Sequence, residues 1–213
     1  MGAGSGEERA RPVKVGLLLP DHERQFDGST ARWTDTKEMA RIGEAIGVDS
    51  LWVTDHLIHR SLGVEPRGAW ECLSQLAALA AITKRAELGT LVICMAFRNP
   101  ALLAKMTDTI EEISGGRLIL GIGAGWNEAE FAAFGYPFDH RVSRFAEAVD
   151  ITSHLLREGR YTYEGTYYQV QDCELRPRGP RPAGPPILIG SSSKGERMMR
   201  LVARHADIWN QRV

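Results

Sequence analysis

The stretch from Glu87 to Asn127, ELGTLVICMAFRNPALLAKMTDTIEEISGGRLILGIGAGWN, constrains the fold more than any other part of the chain. Glu87 to Ile93 is an apolar, partly β-branched run of the kind that forms strands. Asn99-Pro100 then supplies an N-cap followed by a proline at the first helical position, where its missing N–H costs nothing. Leu102, Leu103, Met106, Ile110 and Ile113 recur at three- and four-residue spacing and share one helix face. Ser114-Gly115-Gly116 ends that helix with residues that accept left-handed backbone angles, and Leu118 to Ile122 is a second apolar strand. Two such strands joined by one amphipathic helix form a parallel crossover, and a parallel sheet has to be covered on both faces. Folds of this kind place ligands at the carboxyl ends of their strands.

The unit repeats. Val13–Leu19, Ser50–Thr54, Ile187–Ile189 and Asp207–Asn210 read as further strands. Thr34–Ile46, Trp70–Ile82, Asn127–Phe134, Arg141–Arg157 and Lys194–Ala203 read as helices, and Tyr161–Val170 as a hairpin turning at Glu164-Gly165. The first four strands begin near residues 13, 50, 87 and 117, a spacing that holds one strand, one helix and two loops. The residues after His56, through Arg67, read as a loop. The hairpin and the proline-rich RPRGPRPAGPP connection, together 161–186, are expected over the cleft mouth or at a dimer surface. Alternating βα units fit either a doubly wound sheet or a (β/α)8 barrel. Six strands fall short of eight, and barrels typically run to ~250 residues, so a barrel would be truncated after about six strands, with its C-terminal part missing.

Charge and composition narrow the partners. A formal net charge of −1, with acidic and basic residues mixed, gives no footprint for nucleic acid or an anionic membrane. A small organic substrate is expected instead. Cys72, Cys94 and Cys173 are far apart and contain no CxxC pair, which favours a reducing cytoplasm over a disulfide framework. Residues 1–12 read as a disordered tail ahead of a domain over 13–213, and no run approaches the ~20 apolar residues of a spanning helix. A homodimer is the expected assembly.

Several groups at strand ends could carry chemistry. Gly121-Ile122-Gly123-Ala124-Gly125-Trp126 has Trp126 where a dinucleotide fingerprint needs glycine, and no Gly-Lys-Ser/Thr follows. It is therefore either a bare strand end that admits a flat ligand or a tight turn with a core tryptophan. Asp55-His56 ends the second strand. With no completing ligand cluster, a metal is disfavoured, leaving a proton-transfer histidine or one that merely bonds its loop. Gly190 to Ser193 precede a helix and either bind phosphate or supply an N-cap from Ser192 or Ser193. Cys94 lacks an evident base and reads as a buried thiol.

With LWVTDH, the long central stretch through GAGWNEAEF, and PPILIGSSS followed by ADIWN all in place, the chain resembles the luciferase-like monooxygenase family, in its F420-dependent oxidoreductase branch. The resemblance implies a TIM-type barrel with coenzyme F420, or alternatively FMN, at the carboxyl ends of the strands. It also implies a non-prolyl cis peptide, which by motif position is Leu91-Val92, behind the ring. Asp55 and His56 would sit beside the reactive edge as catalytic residues, with His56 acting on the substrate proton. Gly125, Trp126 and Asn127 would line the ring or its side chain, and Gly190, Ser191 and Ser192 would hold the phosphate. The activity implied is hydride transfer between coenzyme F420 and a small organic substrate. The alternatives are an FMN monooxygenase using reduced flavin and oxygen, or a non-catalytic barrel fragment or partner subunit.

Overall fold

Local chemistry sets the helix that carries the central crossover. The Asn99 side chain accepts from the N–H groups of Ala101 and Leu102, Pro100 occupies the first turn, and Gly115 stops the helix at φ +65°. The computed structural model describes residues 13–61, 63–191 and 195–211, so Ser192 and residues 1–12 lie outside the described residues.

Along the chain come β1 (Gly16–Leu18), α1 (Trp33–Ala45) and β2 (Ser50–Val53), then β3 (Ile58–Ser61) and β4 (Val64–Gly68), α2 (Cys72–Ile82), β5 (Glu87–Thr90) and β6 (Ile93–Cys94). They are followed by α3 (Pro100–Ser114), β7 (Leu118–Gly123), α4 (Glu128–Phe134), α5 (Arg141–Glu158), β8 (Arg160–Glu164), β9 (Gln169–Glu174), β10 (Ile187–Gly190), α6 (Glu196–His205) and β11 (Ile208–Asn210).

The main sheet runs β1-β2-β5-β7-β10-β11, with every pairing parallel. Strand order follows chain order without reversal, so there is no switch point of the kind that defines a doubly wound sheet. The helices likewise pack in succession, α1 on α2, α2 on α3, α3 on α5 and α5 on α6, as the outer layer of a curling barrel does. Leu51, Leu76, Leu88, Leu103, Leu118 and Leu120 are fully buried between these layers. Among the described residues no helix is long and apolar enough to cross a membrane.

Three details depart from the sequence expectation. First, the residues after His56 pair as an antiparallel hairpin, β3 on β4, with His59 opposite Arg67. Its exposed, charged strand VEPRG contains a proline, which hides it from pattern reading. Second, the expected strand Glu87–Ile93 stops at Thr90 and resumes only at Ile93, the Leu91-Val92 peptide between them being cis as the family resemblance implies. The Thr90 hydroxyl spans the gap in the ladder, donating to the Gly121 carbonyl at 2.7 Å and accepting from the Gly121 N–H at 2.9 Å. A Cβ on Gly121 would stand 1.9 Å from the Thr90 carbonyl oxygen, so this approach requires glycine. Third, segment 161–186 contributes nothing to the walls of the cavity described below, against the cleft-mouth half of its expected place; the dimer-surface half is a separate matter. Its proline-rich connection runs beneath the opposite strand ends, where Arg181 binds Glu111 and the carbonyl of Leu118, and Arg178 binds Asp108.

Candidate active site

At the carboxyl ends of β2, β6, β7 and β10 lies a cavity of about 680 Å³. Leu91 and Val92, in the break between β5 and β6, form its floor together with Gly123 and Gly190. The two glycines make room for Val92: a Cβ on Gly190 would stand 2.9 Å from Val92 Cγ1, and one on Gly123 3.0 Å from Val92 Cγ2. Bare backbone on two neighbouring strands thus cradles one projecting side chain, leaving a smooth apolar floor.

Asp55 and His56, just past the end of β2, both line the cavity but are held by different partners. Asp55 is buried, with Oδ2 receiving Arg98 Nη1 at 2.6 Å and the Cys94 N–H at 2.9 Å, and Oδ1 receiving Arg98 Nη2 at 2.8 Å. Arg98 also reaches Glu71 at 2.7 Å. Burial opposes the guanidinium charge, but the bonds to Asp55 and Glu71 outweigh it and hold Arg98 above its usual range. The Asp55 carboxylate is therefore committed to clamping the loop after β6 against β2.

His56 is tied to α4. Its Nδ1 lies 3.1 Å from Glu130 Oε2, while Glu130 Oε1 accepts from the N–H groups of Leu57 at 2.5 Å and Ile58 at 3.0 Å. Glu130 is only 2% exposed; burial opposes its charge, yet the bonds from His56, Ile58 and Leu57 prevail and keep its carboxyl below the usual range. An acceptor fixed opposite Nδ1 assigns the hydrogen there and leaves Nε2 as a proton acceptor. Trp126, 65% exposed, stands edge-on to the His56 ring at 5.8 Å.

Gly125 turns the chain at φ +75°, and a side chain there would strike Cys94 Sγ at 2.6 Å and Phe131 at 2.7 Å, so the position requires glycine on both counts. Arg141 donates to the Gly125 carbonyl at 2.6 Å and lies over the Phe138 ring. Burial pushes the Cys94 thiol up to about 12, so it is no nucleophile at neutral pH. At the far end, Gly190 and Ser191 face the cavity beside Asn210, whose carbonyl accepts the Ser191 N–H at 3.1 Å.

Of the residues expected to bind cofactor, Leu91, Val92, Gly125, Trp126, Gly190 and Ser191 come together on this cavity. Asn127 does not line it. It starts α4, is buried, and its Nδ2 has no partner among the described residues. Glu130, Arg98 and Arg141 escaped sequence reasoning. For Glu130 the available signal, Asn-x-x-Glu at a helix start, points to capping and not to a histidine partner.

Away from the cavity wall, His59 and His22 extend the histidine group. Ring centroids are 3.9 Å apart for His56 and His59, 4.3 Å for His22 and His59, and 5.7 Å for His22 and His56.

The sequence profile described as luciferase-like monooxygenase matches residues 13–210. The chain belongs to this family. Within the family it is 39% identical over 172 residues to an F420-dependent glucose-6-phosphate dehydrogenase of Intrasporangium calvum, covering 76% of this chain and 48% of that one. It is 33% identical over 142 residues to the pyrimidine monooxygenase RutA of Cronobacter sakazakii, covering 64% of this chain and 40% of the relative. The structure superposes on an F420-dependent secondary alcohol dehydrogenase solved with an F420-acetone adduct, with a TM-score of 0.77, 23% identity, and coverage of 93% of this chain and 57% of the other. That likeness establishes the TIM-barrel architecture of the family, of which the six strands form a half-barrel. The chain spans about half the length of the curated relatives it matches.

Proposed function

We propose that this luciferase-like chain serves an oxidoreductase in which hydride passes between coenzyme F420 and a small organic substrate, with His56 handling the substrate proton. The observation that carries the reading is His56 itself: Nδ1 anchored on Glu130, which leaves Nε2 as the acceptor, and the ring on the wall of a cavity floored by Leu91-Val92. The cavity is in the range that holds cofactors, roughly 300–1,000 Å³. Its floor of Val92 set between two glycines offers a flat ring an apolar seat.

In this reading Leu91 and Val92 lie behind the ring, Gly125 and Trp126 run along it, and Gly190 with Ser191 receives the phosphate end. When bound, the deazaflavin supplies a carbon centre that accepts or donates hydride. His56 Nε2 takes the hydroxyl proton as an alcohol is oxidised, and returns it in the reverse direction. Glu130 fixes the imidazole and stabilises the imidazolium that forms. Asp55 works through Arg98 and the Cys94 N–H to hold the loop after β6, and is a positioning residue.

Similarity to RutA supports a second reading, an FMN monooxygenase on the same scaffold. Adding coenzyme F420 and FMN separately, and following visible absorption and melting temperature, tests both. The deazaflavin reading requires that F420 bind and raise the melting temperature, since a ligand of the native state must stabilise it. Oxygen consumption with reduced FMN, and no response to F420, would replace it with the monooxygenase reading.

A further inference from the structure

His56 faces the cavity, whereas His59 and His22 do not line it and remain partly accessible. The three imidazoles come from separate segments: the end of β2, the hairpin strand β3, and the loop after β1. They form a compact triangle of ring contacts with His59 at its corner, touching both His56 on the cavity wall and His22 away from it. We infer that His59 and His22 carry protons between His56 and solvent, so that the site can exchange protons while cofactor and substrate fill the cavity. This rests on the reading of His56 as the proton-transfer residue.

The His22 end of the group is built to hold a charge. Asp21 receives the Thr54 N–H at 2.8 Å and the Thr54 hydroxyl at 2.6 Å through Oδ2, while Oδ1 contacts His22 Nδ1. His22 Nδ1 also lies 3.1 Å from Gln25 Oε1. Burial works against a charge on His22, but Asp21 outweighs it and raises its pKa. His22 Nε2, by contrast, is buried without a hydrogen-bond partner among the described residues. A ring whose protonated form Asp21 favours, with Nδ1 anchored and Nε2 buried without a partner among the described residues, set against two further imidazoles, is placed to hold and pass on a proton. Burial, then His56 and His22, hold His59 down to about 4, with Arg67 acting in the same direction and Glu130 against it. The middle ring is thus neutral at rest and can only be a transient carrier.

Filling the cavity shuts water away from His56 on that side. During alcohol oxidation the C–H electron pair leaves as hydride to the deazaflavin and the O–H proton goes to His56 Nε2. From there it passes through a bridging water to His59 and on to solvent, or to His22 once His22 has given up its own proton. A proton arriving on His56 repels the one on His22, which favours its release. Reduction runs the same path backwards.

The test compares wild-type full chain with His59→Phe, which keeps a ring but no exchangeable nitrogen, and with His59→Gln as a second variant should the first fail to fold. Exchange of the His56 ring proton with water is read from ¹⁵N-labelled imidazole signals, without and with saturating coenzyme F420. The expected result is unchanged exchange in the free proteins and slowing by about tenfold or more only in the F420-loaded variants. Turnover lost in the variants should return on adding free imidazole. Equal exchange in loaded wild type and variants would overturn the relay while leaving the cofactor reading intact. Failure of F420 to shift the wild-type melting temperature would overturn both.

Discussion

His56 and Glu130 stand seventy-four residues apart in sequence and meet at 3.1 Å, joining the end of β2 to the first turns of α4. Glu130→Gln keeps the shape but removes the charge that fixes the imidazole. It should lower kcat by about 10–100-fold, within the range spanned by general acid–base effects, with little change in KM. Glu130→Ala should in addition cost about 1.5–3 kcal/mol, because the Leu57 and Ile58 N–H groups lose their acceptor. Steady-state kinetics and urea denaturation check both. Because the folded-state pKa of Glu130 is depressed, its contribution is present above the ordinary carboxylate value and is lost as pH falls through the folded one.

Among the described residues, Arg98 is the cation that pairs with the buried Asp55 carboxylate. Arg98→Met should destabilise by about 3–5 kcal/mol, since it leaves a buried charge unpaired. The double variant Arg98→Met/Asp55→Asn should lose less than the two single losses added together. Strict additivity in a denaturation cycle would show that the two side chains do not act as a pair.

The glycines around Val92 should separate stability from binding. Gly121→Ala drives a Cβ into backbone at 1.9 Å and should cost about 1–3 kcal/mol or more. Gly190→Ala meets only the Val92 side chain, at 2.9 Å, and should push it into the cavity. The expected outcome is a small drop in melting temperature with about a tenfold loss of cofactor affinity, or ~1.4 kcal/mol, measured by thermal scan and fluorescence titration.

His59 and His22 should bend the stability curve in opposite directions. His59 has a folded value of about 4 against an ordinary 6.5, so the unfolded chain binds its proton first and stability is lost as pH falls across that window. His22 is raised, so its contribution is full below 6.5 and is lost as pH rises through its folded value. Relative to wild type, His59→Gln should therefore gain stability at about pH 4.5 compared with about pH 8. Urea midpoints at the two pH values provide the check.

The sequence exposes what local chemistry determines. The ends of α3 follow from Asn99-Pro100 and Gly115, and the βα rhythm locates the parallel strands, while their order, which separates a barrel from a doubly wound sheet, appears only in the fold. What it hides is what distant side chains decide. Glu128 and Glu130 look alike as acidic residues on a short helix, and only the packing of α4 against β3 makes Glu130 the His56 partner. Arg98 is one arginine among many until the turn after β6 brings it onto Asp55. The β3–β4 hairpin, with its proline and charges, carries no alternating pattern to read, yet it places His59 against His56.

The central claim is that a deazaflavin ring lies on Val92 with its working edge toward His56. A crystal structure of the chain with coenzyme F420 tests it most directly. The predicted result is a tricycle packed on Leu91-Val92, its phosphate end at Gly190-Ser191, and His56 Nε2 within about 3–4 Å of the substrate position beside the reactive carbon. A ring bound elsewhere on the molecule, or seated on Val92 with its opposite edge toward His56, would contradict the account.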